Sequence, residues 1–125
     1  MKKEISTANA PSAIGPYSQG IKNGNMIFLS GQLGINPRTK ELVSGGVEAE
    51  THQIFKNIQS ILKEEEASLD NIVKVTVLLK DMGDFKKVNE VYPQYFNKPY
   101  PARSAFAVRE LPLSVSIEIE VIAMK

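Results

Sequence analysis

A ten-residue alternation near the end of the chain is the feature that most limits how it can fold. In SVSIEIEVIAMK, residues 114 to 125, every second residue from Val115 to Ala123 is apolar, and Glu118 and Glu120 lie between them. Such a period of two is typical of a β-strand that buries one face, because successive side chains point to opposite sides of a sheet. The chain must therefore build a sheet and cover its apolar side with a second layer.

Two helical segments can supply that layer. Residues 47–66 repeat with the helical period, and their apolar stripe consists of Val47, Thr51, Ile54, Phe55, Ile58, Ile61 and Leu62. Residues 81–96 predict a second helix, capped by Asp81 or Asp84 and bent or ended early by Pro93, which has no N–H to donate. Its inward-facing side chains are Phe85, Val88, Tyr92, Tyr95 and Phe96.

The remaining apolar segments predict four more strands. Residues 17–22 and 26–31 form a hairpin around Asn23-Gly24, a pair suited to a tight turn. Residues 102–110 predict a strand that is joined to the C-terminal strand through Leu-Pro-Leu as a final hairpin. Residues 71–80 predict a strand whose one face is formed by Val73, Val75, Val77 and Leu79.

The order of these elements predicts an α+β fold with both helices on one face of the sheet. A length of 125 residues favours a single domain over residues 1–125. The other sheet face is too apolar to leave in water, so we expect the chain to associate with copies of itself. The residues expected on that face are Ala105, Ala107, Glu120, Ile122 and Met124.

Composition argues against several classes of function. The net charge is +1, from 15 basic and 14 acidic residues, and no basic cluster suited to nucleic acid is present in the sequence. The chain has no cysteine, and His52 is its only histidine, which leaves too few ligands for zinc and weakens any Ser-His-Asp triad. We recognise no signal peptide or membrane span, and we expect a cytoplasmic protein.

The segment YPARSAFAV contains the first candidate for chemistry. In a strand, Arg103 shares a face with Ala105 and Ala107, and we expect the opposite face, formed by Phe106 and Val108, to be buried. The two alanines leave a hollow beside the guanidinium. Because arginine can grip a carboxylate through two parallel hydrogen bonds, Arg103 is a candidate anchor for a small carboxylic acid.

Glu120 is the candidate for the reacting end of that acid. If the last two strands pair as a hairpin centred near Pro112, an in-phase register brings Arg103 and Glu120 together on one sheet face. The alternative is an ordinary cross-strand ion pair, which contributes little. The small neighbours of Arg103 favour a binding site, because a packed structural face would fill the hollow.

Asn89, Tyr17 and Ser30 are weaker candidates. Asn89 interrupts an apolar helical stripe, and a buried amide there needs partners, so capping of sheet or loop carbonyls is the simpler interpretation. Tyr17 could be core at the start of a strand, and Ser30 could satisfy a strand end. The residues alone do not separate these alternatives.

Five segments together resemble the Rid/YjgF family of reactive intermediate deaminases, over essentially the whole chain and in the family's order. The segments are APSAIGPYSQGI, MIFLSGQLGINP, VNEVYPQYF, YPARSAFAV and LPLSVSIEIEVIA. The resemblance implies a chorismate-mutase-like α+β fold of the bacillus type, with a mixed, mostly antiparallel sheet. It also implies homotrimers whose sheets form a central barrel, with clefts between subunits.

The same resemblance implies hydrolysis of 2-imino acids and their 2-enamino tautomers to 2-keto acids and ammonia. The expected substrates are 2-iminopropanoate with its tautomer 2-aminoacrylate, and 2-iminobutanoate. No metal, cofactor, nucleic acid or membrane is expected to take part. The expected partners are small imino and keto acids and further copies of the chain.

By resemblance, Arg103 of PARS matches the arginine that holds the substrate carboxylate, and Glu120 of IEIE matches the glutamate that holds the attacking water. Where many members have cysteine the chain has Ala105, which excludes thiol chemistry and leaves only a backbone contribution. Other matched positions line or support the cleft, and they are Tyr17, Ser30, Gly31, Asn89 and Pro112.

Two further functions compete with the deaminase. A trimer that binds small acids and regulates a partner would use the same anion anchor, but it would gain nothing from a carboxylate at Glu120. RNA cleavage or translation inhibition, which has been attached to relatives, is disfavoured by the charge balance and the single histidine.

Overall fold

The alternating segment forms one strand near the middle of a six-stranded sheet. The computed structural model describes all of residues 1–125. In chain order, its elements are β1 (Lys2–Ile5), β2 (Gly20–Asn23), β3 (Met26–Leu29), α1 (Gly46–Lys63), β4 (Ile72–Leu79), α2 (Phe85–Val91), β5 (Ala102–Ala107) and β6 (Ile117–Met124). The α+β class and the two helices are as predicted, whereas β1 was not anticipated, because KKEI has a single buried side chain, Ile5.

The sheet order is β1-β2-β3-β6-β4-β5, which makes the predicted final hairpin wrong. β5 pairs with β4 in parallel, and β6 pairs with β4 in antiparallel fashion, so β4 lies between the two strands that were expected to pair. A parallel pair needs a crossover connection, and α2 provides it between β4 and β5. All the other strand pairs are antiparallel, so the sheet is mixed and mostly antiparallel.

α1 buries its whole predicted stripe against the sheet, and each of those seven residues is buried. Before α2, the Asp81 side chain accepts a hydrogen bond from the N–H of Gly83 and caps a short 3₁₀ turn, Met82–Asp84. α2 ends at Val91, just ahead of Pro93, and a 3₁₀ turn over Tyr92–Gln94 follows. Asp81 is therefore the capping residue, and Pro93 ends the helix early as expected.

β4 departs from the predicted pattern at its start. Val73 is 44% exposed, while Ile72 is buried instead. The register shifts between Ile72 and Lys74, so Val73 is the extra residue of a β-bulge and leaves the buried face. From Val75 onward the alternation holds, and Val75, Val77 and Leu79 are fully buried.

The face of the sheet without helices, here called the open face, is partly apolar as predicted, but two of its expected members lie elsewhere. Ala105 and Ala107 pair with the buried Val77 and Leu79, and they therefore face the helices. Phe106 lies on the open face and is 49% exposed. The larger apolar residues of the open face are Ile21, Met26, Phe28, Leu78, Phe106, Ile122 and Met124.

No helix in the structure is both long enough and apolar enough to cross a bilayer.

Candidate active site

Arg103 lies on β5, at the edge of the sheet, and its side chain reaches over α2. Its Cα is paired with that of the buried Val75, which places the guanidinium on the helix side. The guanidinium carbon is 5.0 Å from the ring centroid of Phe85 and 4.7 Å from that of Tyr92. Nη1 donates a hydrogen bond of 2.8 Å to Oδ1 of Asn89. α2 and the turn after it therefore hold the guanidinium from three sides.

Asn89 does not do what the sequence suggested. The sequence suggested a buried amide that caps sheet or loop carbonyls. Asn89 is exposed, and its carboxamide oxygen accepts a hydrogen bond from Arg103. The expectation failed because the helical stripe extends past the edge of the core, so a residue on that stripe reaches the arginine of the edge strand.

An open cavity of about 420 Å³ adjoins the guanidinium. Arginine has five N–H donors, and hydrogen bonding to protein accounts for only one of them here. Arg103 is itself exposed, so the remaining donors are available to a ligand. The cavity is lined by Asn89, Tyr92, Pro93, Tyr100, Pro101 and Arg103.

The small neighbours of Arg103 share its face as predicted. Ala105 is half-buried against the core and Ala107 is exposed, so the space beside the guanidinium is not filled by side chains of β5. These three residues face the helices rather than the open face on which they were expected, and Phe106 points to the open face. The alternation along β5 was predictable, but which face meets the helices depends on the partner strand.

Glu120 lies on the open face and is exposed. Glu120 pairs with Thr76 of β4, and Thr76 pairs with Ser104 of β5, so these three side chains share the open face. Arg103 pairs instead with Val75, the residue before Thr76, and its side chain points to the other face. The prediction that Arg103 and Glu120 meet on one face is therefore wrong for a single chain. The two residues stand two strands apart, roughly 10 Å across the sheet, and on opposite faces.

A second group of candidates surrounds Glu120 on the open face. Glu118 precedes it on the same face, and a Cβ at Gly31 would meet the Glu118 carboxylate, so any larger residue there would require the Glu118 side chain to move. Burial raises the pKa of the Glu118 carboxyl, and the charge of Glu120 raises it further. Glu118 is thus a half-buried acid beside an exposed one.

Ser30 and Tyr17 each form a hydrogen bond with the backbone of the N-terminal part of the chain. Ser30 Oγ donates a hydrogen bond of 2.6 Å to the carbonyl of Ser18. The Tyr17 hydroxyl accepts a hydrogen bond of 3.3 Å from the N–H of Ile14, and the Tyr17 side chain is 52% exposed. The Ser30 hydroxyl therefore serves the backbone, while the Tyr17 ring remains available at the surface.

Pro112 starts the exposed turn Pro112–Ser114 between β5 and β6. The next two residues, Leu113 and Ser114, have φ values of 56° and 54°, and Leu113 is 74% exposed. A left-handed backbone at leucine is unfavourable, so the surrounding turn must impose it.

The sequence pattern underestimated two aromatic residues and missed a third. Phe85 and Tyr92 were assigned to the core, and both also flank the guanidinium. Their spacing from Asn89 on one helical stripe was the available signal. Tyr100, which lines the cavity, lies just before the PARS segment and gave no periodic signal.

The only histidine has a structural environment. His52 is half-buried, with Nδ1 2.6 Å from Oη of Tyr95. No group of three or more His, Cys, Asp or Glu residues is arranged to hold a metal ion.

Comparison with known proteins places this arrangement in context. The family model described as Endoribonuclease L-PSP matches residues 7–125. A RutC family protein of Pyrococcus horikoshii is 53% identical, covering 100% of this chain and 99% of its own length. The human 2-iminobutanoate/2-iminopropanoate deaminase is 49% identical, covering 100% of this chain and 91% of its own length. The crystal structure of RidA from an Antarctic Psychrobacter superposes with a TM-score of 0.95 at 43% identity, covering 98% of this chain and 99% of that one.

Proposed function

The chain belongs to the Rid/YjgF family, and from that membership we propose that it is a single-domain imine deaminase. It hydrolyses 2-iminopropanoate, with its tautomer 2-aminoacrylate, and 2-iminobutanoate to 2-keto acids and ammonia. Relatives at about half identity bear the name 2-iminobutanoate/2-iminopropanoate deaminase, which supports this reaction class. The exposed, pre-oriented guanidinium of Arg103 is the observation that carries the proposal.

Arg103 binds the substrate carboxylate. Its guanidinium is already held by two rings and one amide, so little side-chain freedom is lost when a carboxylate binds. The cavity of about 420 Å³ beside the guanidinium leaves room for a chain of three or four carbons. Fixing the carboxylate also fixes C2, which is the carbon to be attacked.

Glu120 activates the water. The protonated imine is electrophilic at C2, and a water oxygen forms the new C–O bond while Glu120 accepts a water proton. Glu120 then returns that proton to the nitrogen of the tetrahedral intermediate. The C–N bond breaks, ammonia leaves, and loss of the hydroxyl proton gives the keto group.

The opposite-face placement of Arg103 and Glu120 has a consequence for assembly. A substrate of three or four carbons cannot touch both residues of one chain across the sheet. A complete site therefore combines Arg103 of one copy with Glu120 of another. This geometry supports a site in a cleft between copies of the chain, and the homotrimer with a chorismate-mutase-like barrel is what the family resemblance implies.

A mixing experiment tests both the reaction and the shared site. Imine is generated freshly from serine or threonine by a pyridoxal-phosphate dehydratase, and release of keto acid is compared with and without the protein. Arg103→Ala and Glu120→Gln chains are assayed alone and after co-refolding in equal amounts. Arg109→Ala, which removes an exposed arginine two residues beyond β5, serves as the matched control.

Each variant alone should be nearly inactive, and the mixture should regain activity at about a quarter of its interfaces, the fraction that pairs an intact Arg103 with an intact Glu120. A mixture that stays inactive would mean that both residues act from one chain. If the wild-type protein binds keto acids but does not accelerate imine loss, the small-acid sensor is the better assignment.

A further inference from the structure

The contacts around Arg103 form a repeating pattern on one helical stripe. Phe85, Asn89 and Tyr92 are spaced four and then three residues apart, so they stack along one side of α2 and its C-terminal turn. The two rings are separated by two helical turns, roughly 10 Å along the axis. The guanidinium carbon lies within 5.0 Å of both ring centroids, so it occupies the gap between them.

We propose that Phe85, Asn89 and Tyr92 are positioning residues that set the orientation in which Arg103 receives the substrate carboxylate. This inference rests on the deaminase proposal and adds to it the source of the arginine's geometry. The rings restrict the plane of the guanidinium, because a cation prefers the face of an aromatic ring. Asn89 restricts rotation within that plane by binding Nη1.

The edge-strand location explains why Arg103 needs such a clamp. β5 has a neighbour on one side only, and Ala105 and Ala107 give the long side chain nothing to pack against along the strand. An arginine in this setting would sample many rotamers and lose that freedom on binding. α2 supplies the contacts that the strand lacks, so the helix and not the strand determines how the carboxylate is held.

The amide is suited to this role by its neutrality. The Asn89 oxygen accepts a hydrogen bond from the guanidinium without cancelling its charge, so the positive charge remains for the substrate. A carboxylate at position 89 would form an internal ion pair with Arg103 and compete with the substrate's own carboxylate.

The test measures binding of 2-ketobutyrate, a stable product, by calorimetry, with imine turnover measured separately. Phe85→Leu, Tyr92→Leu and Asn89→Ala should each weaken binding about three- to tenfold, as expected for the loss of one cation–π or charged hydrogen-bond contact. Asn89→Asp should weaken it about tenfold or more. Phe85→Tyr and Tyr92→Phe, which keep a ring, should bind within about twofold of wild type.

A double-mutant cycle separates positioning from general damage to the fold. In an Arg103→Lys background, where there is no planar guanidinium to orient, Phe85→Leu and Asn89→Ala should change affinity less than about twofold. Val88→Ala, which removes a buried contact of α2 on its core side, should lower thermal stability but leave affinity unchanged.

The outcomes distinguish the clamp from the deaminase proposal. If the effects of Phe85→Leu and Asn89→Ala persist undiminished in the Arg103→Lys background, or if the wild-type background shows none, the clamp is wrong and the carboxylate anchor stands. If Arg103→Lys itself leaves 2-ketobutyrate affinity unchanged, the anchor is wrong and the deaminase proposal loses its basis.

Discussion

The hydroxyl of Tyr92 is a buried polar group with no hydrogen-bond partner among the protein's own atoms. Its ring packs at 4.6 Å from Phe96 on one side and lies beneath Arg103 on another, while the oxygen is enclosed by the core. Burial raises the pKa of this hydroxyl, and the positive charge of Arg103 partly opposes that shift. An unpaired buried hydroxyl is a net cost to the folded state.

Tyr92→Phe should therefore stabilise the protein. Removing the orphan hydroxyl while keeping the ring should raise the free energy of unfolding by about 1 kcal/mol and the melting temperature by about 3–5 °C. Calorimetric melting curves check this directly. A lower melting temperature would mean that the hydroxyl has a partner, such as an enclosed water.

Replacing Glu120 by Gln tests its role as a base. Glu120→Gln keeps the shape of the side chain but cannot accept a proton at neutral pH, so kcat should fall by about 10²–10⁴. Binding of 2-ketobutyrate should survive the change. By contrast, Arg103→Lys should worsen both KM and kcat, because it loses the two-pronged grip. Full turnover by Glu120→Gln in steady-state assays would assign the water chemistry to another group.

The Glu118 carboxyl on the open face should make the stability of the fold depend on pH. Its carboxyl has a raised pKa in the folded state, so the protonated form is the one that folding favours. That contribution is fully present below the unfolded value of 4.5 and is lost as pH rises through the folded pKa. Glu118→Gln should therefore raise the melting temperature at pH 7.5 and give no advantage at pH 4. An equal shift at both pH values would contradict this assignment.

At the scale of elements, the end of α1 combines unfavourable features with their compensation. Glu64, Glu65 and Glu66 lie at a helix C-terminus, where negative charge opposes the helix dipole. Lys3 and Lys22 lie 3.0 Å and 3.6 Å from the Glu65 carboxylate, and the hydrogen bond from Lys3 is the main reason that the pKa of Glu65 is lowered. β1 and β2 thus stabilise the helix end from outside the helix.

Glu66 itself adopts a left-handed backbone, with φ of 55°. Glycine has no Cβ to strain there, so Glu66→Gly should stabilise the protein by roughly 1 kcal/mol. Glu64→Gly is the matched control, because Glu64 has a right-handed helical φ of −62° and the change should destabilise. Chemical denaturation of the two variants measures both effects, and the same sign for both would refute the backbone explanation.

The sequence predicted elements well where their structure depends on periodicity within one segment. It predicted them poorly where the structure depends on which strands pair. The α1 stripe was correct because a helix face depends only on spacing along one segment. The β5–β6 hairpin was wrong because alternation says which side chains share a face, but not which strand is the neighbour. Val73 was predicted on the face of Val75, Val77 and Leu79. The prediction was wrong because the bulge at the start of β4 cannot be recognised from the apolar sequence.

The candidate site divides in the same way. Arg103 and Glu120 were found by residue type and motif, and their positions on β5 and β6 are as expected. Their separation onto opposite faces followed from the parallel β4–β5 pair, which the sequence pattern did not reveal. The part played by α2 was hidden because Phe85 and Tyr92 also satisfy the pattern of a core-facing stripe.

At the scale of the whole molecule, the open face sets the expected assembly. Phe28 and Met124 are 43% and 41% exposed there, and Phe106 adds to the same apolar surface. We expect a homotrimer in which these side chains are covered by neighbouring copies. Sedimentation at micromolar concentration checks this, and a stable monomer would leave the proposed two-chain site without a basis.

The position of β6 in the sheet also governs when the chain can fold during synthesis. Met26 pairs with Met124, and β6 is the only strand that joins β3 to β4. Until β6 leaves the ribosome, β1-β2-β3 and β4-β5 are two fragments with unpaired edges, and uniting them means closing a loop that spans most of the residues between Met26 and Met124. Losing β6 (Ile117–Met124) would therefore divide the sheet rather than shorten it, and a chain arrested before β6 would be prone to edge-to-edge aggregation.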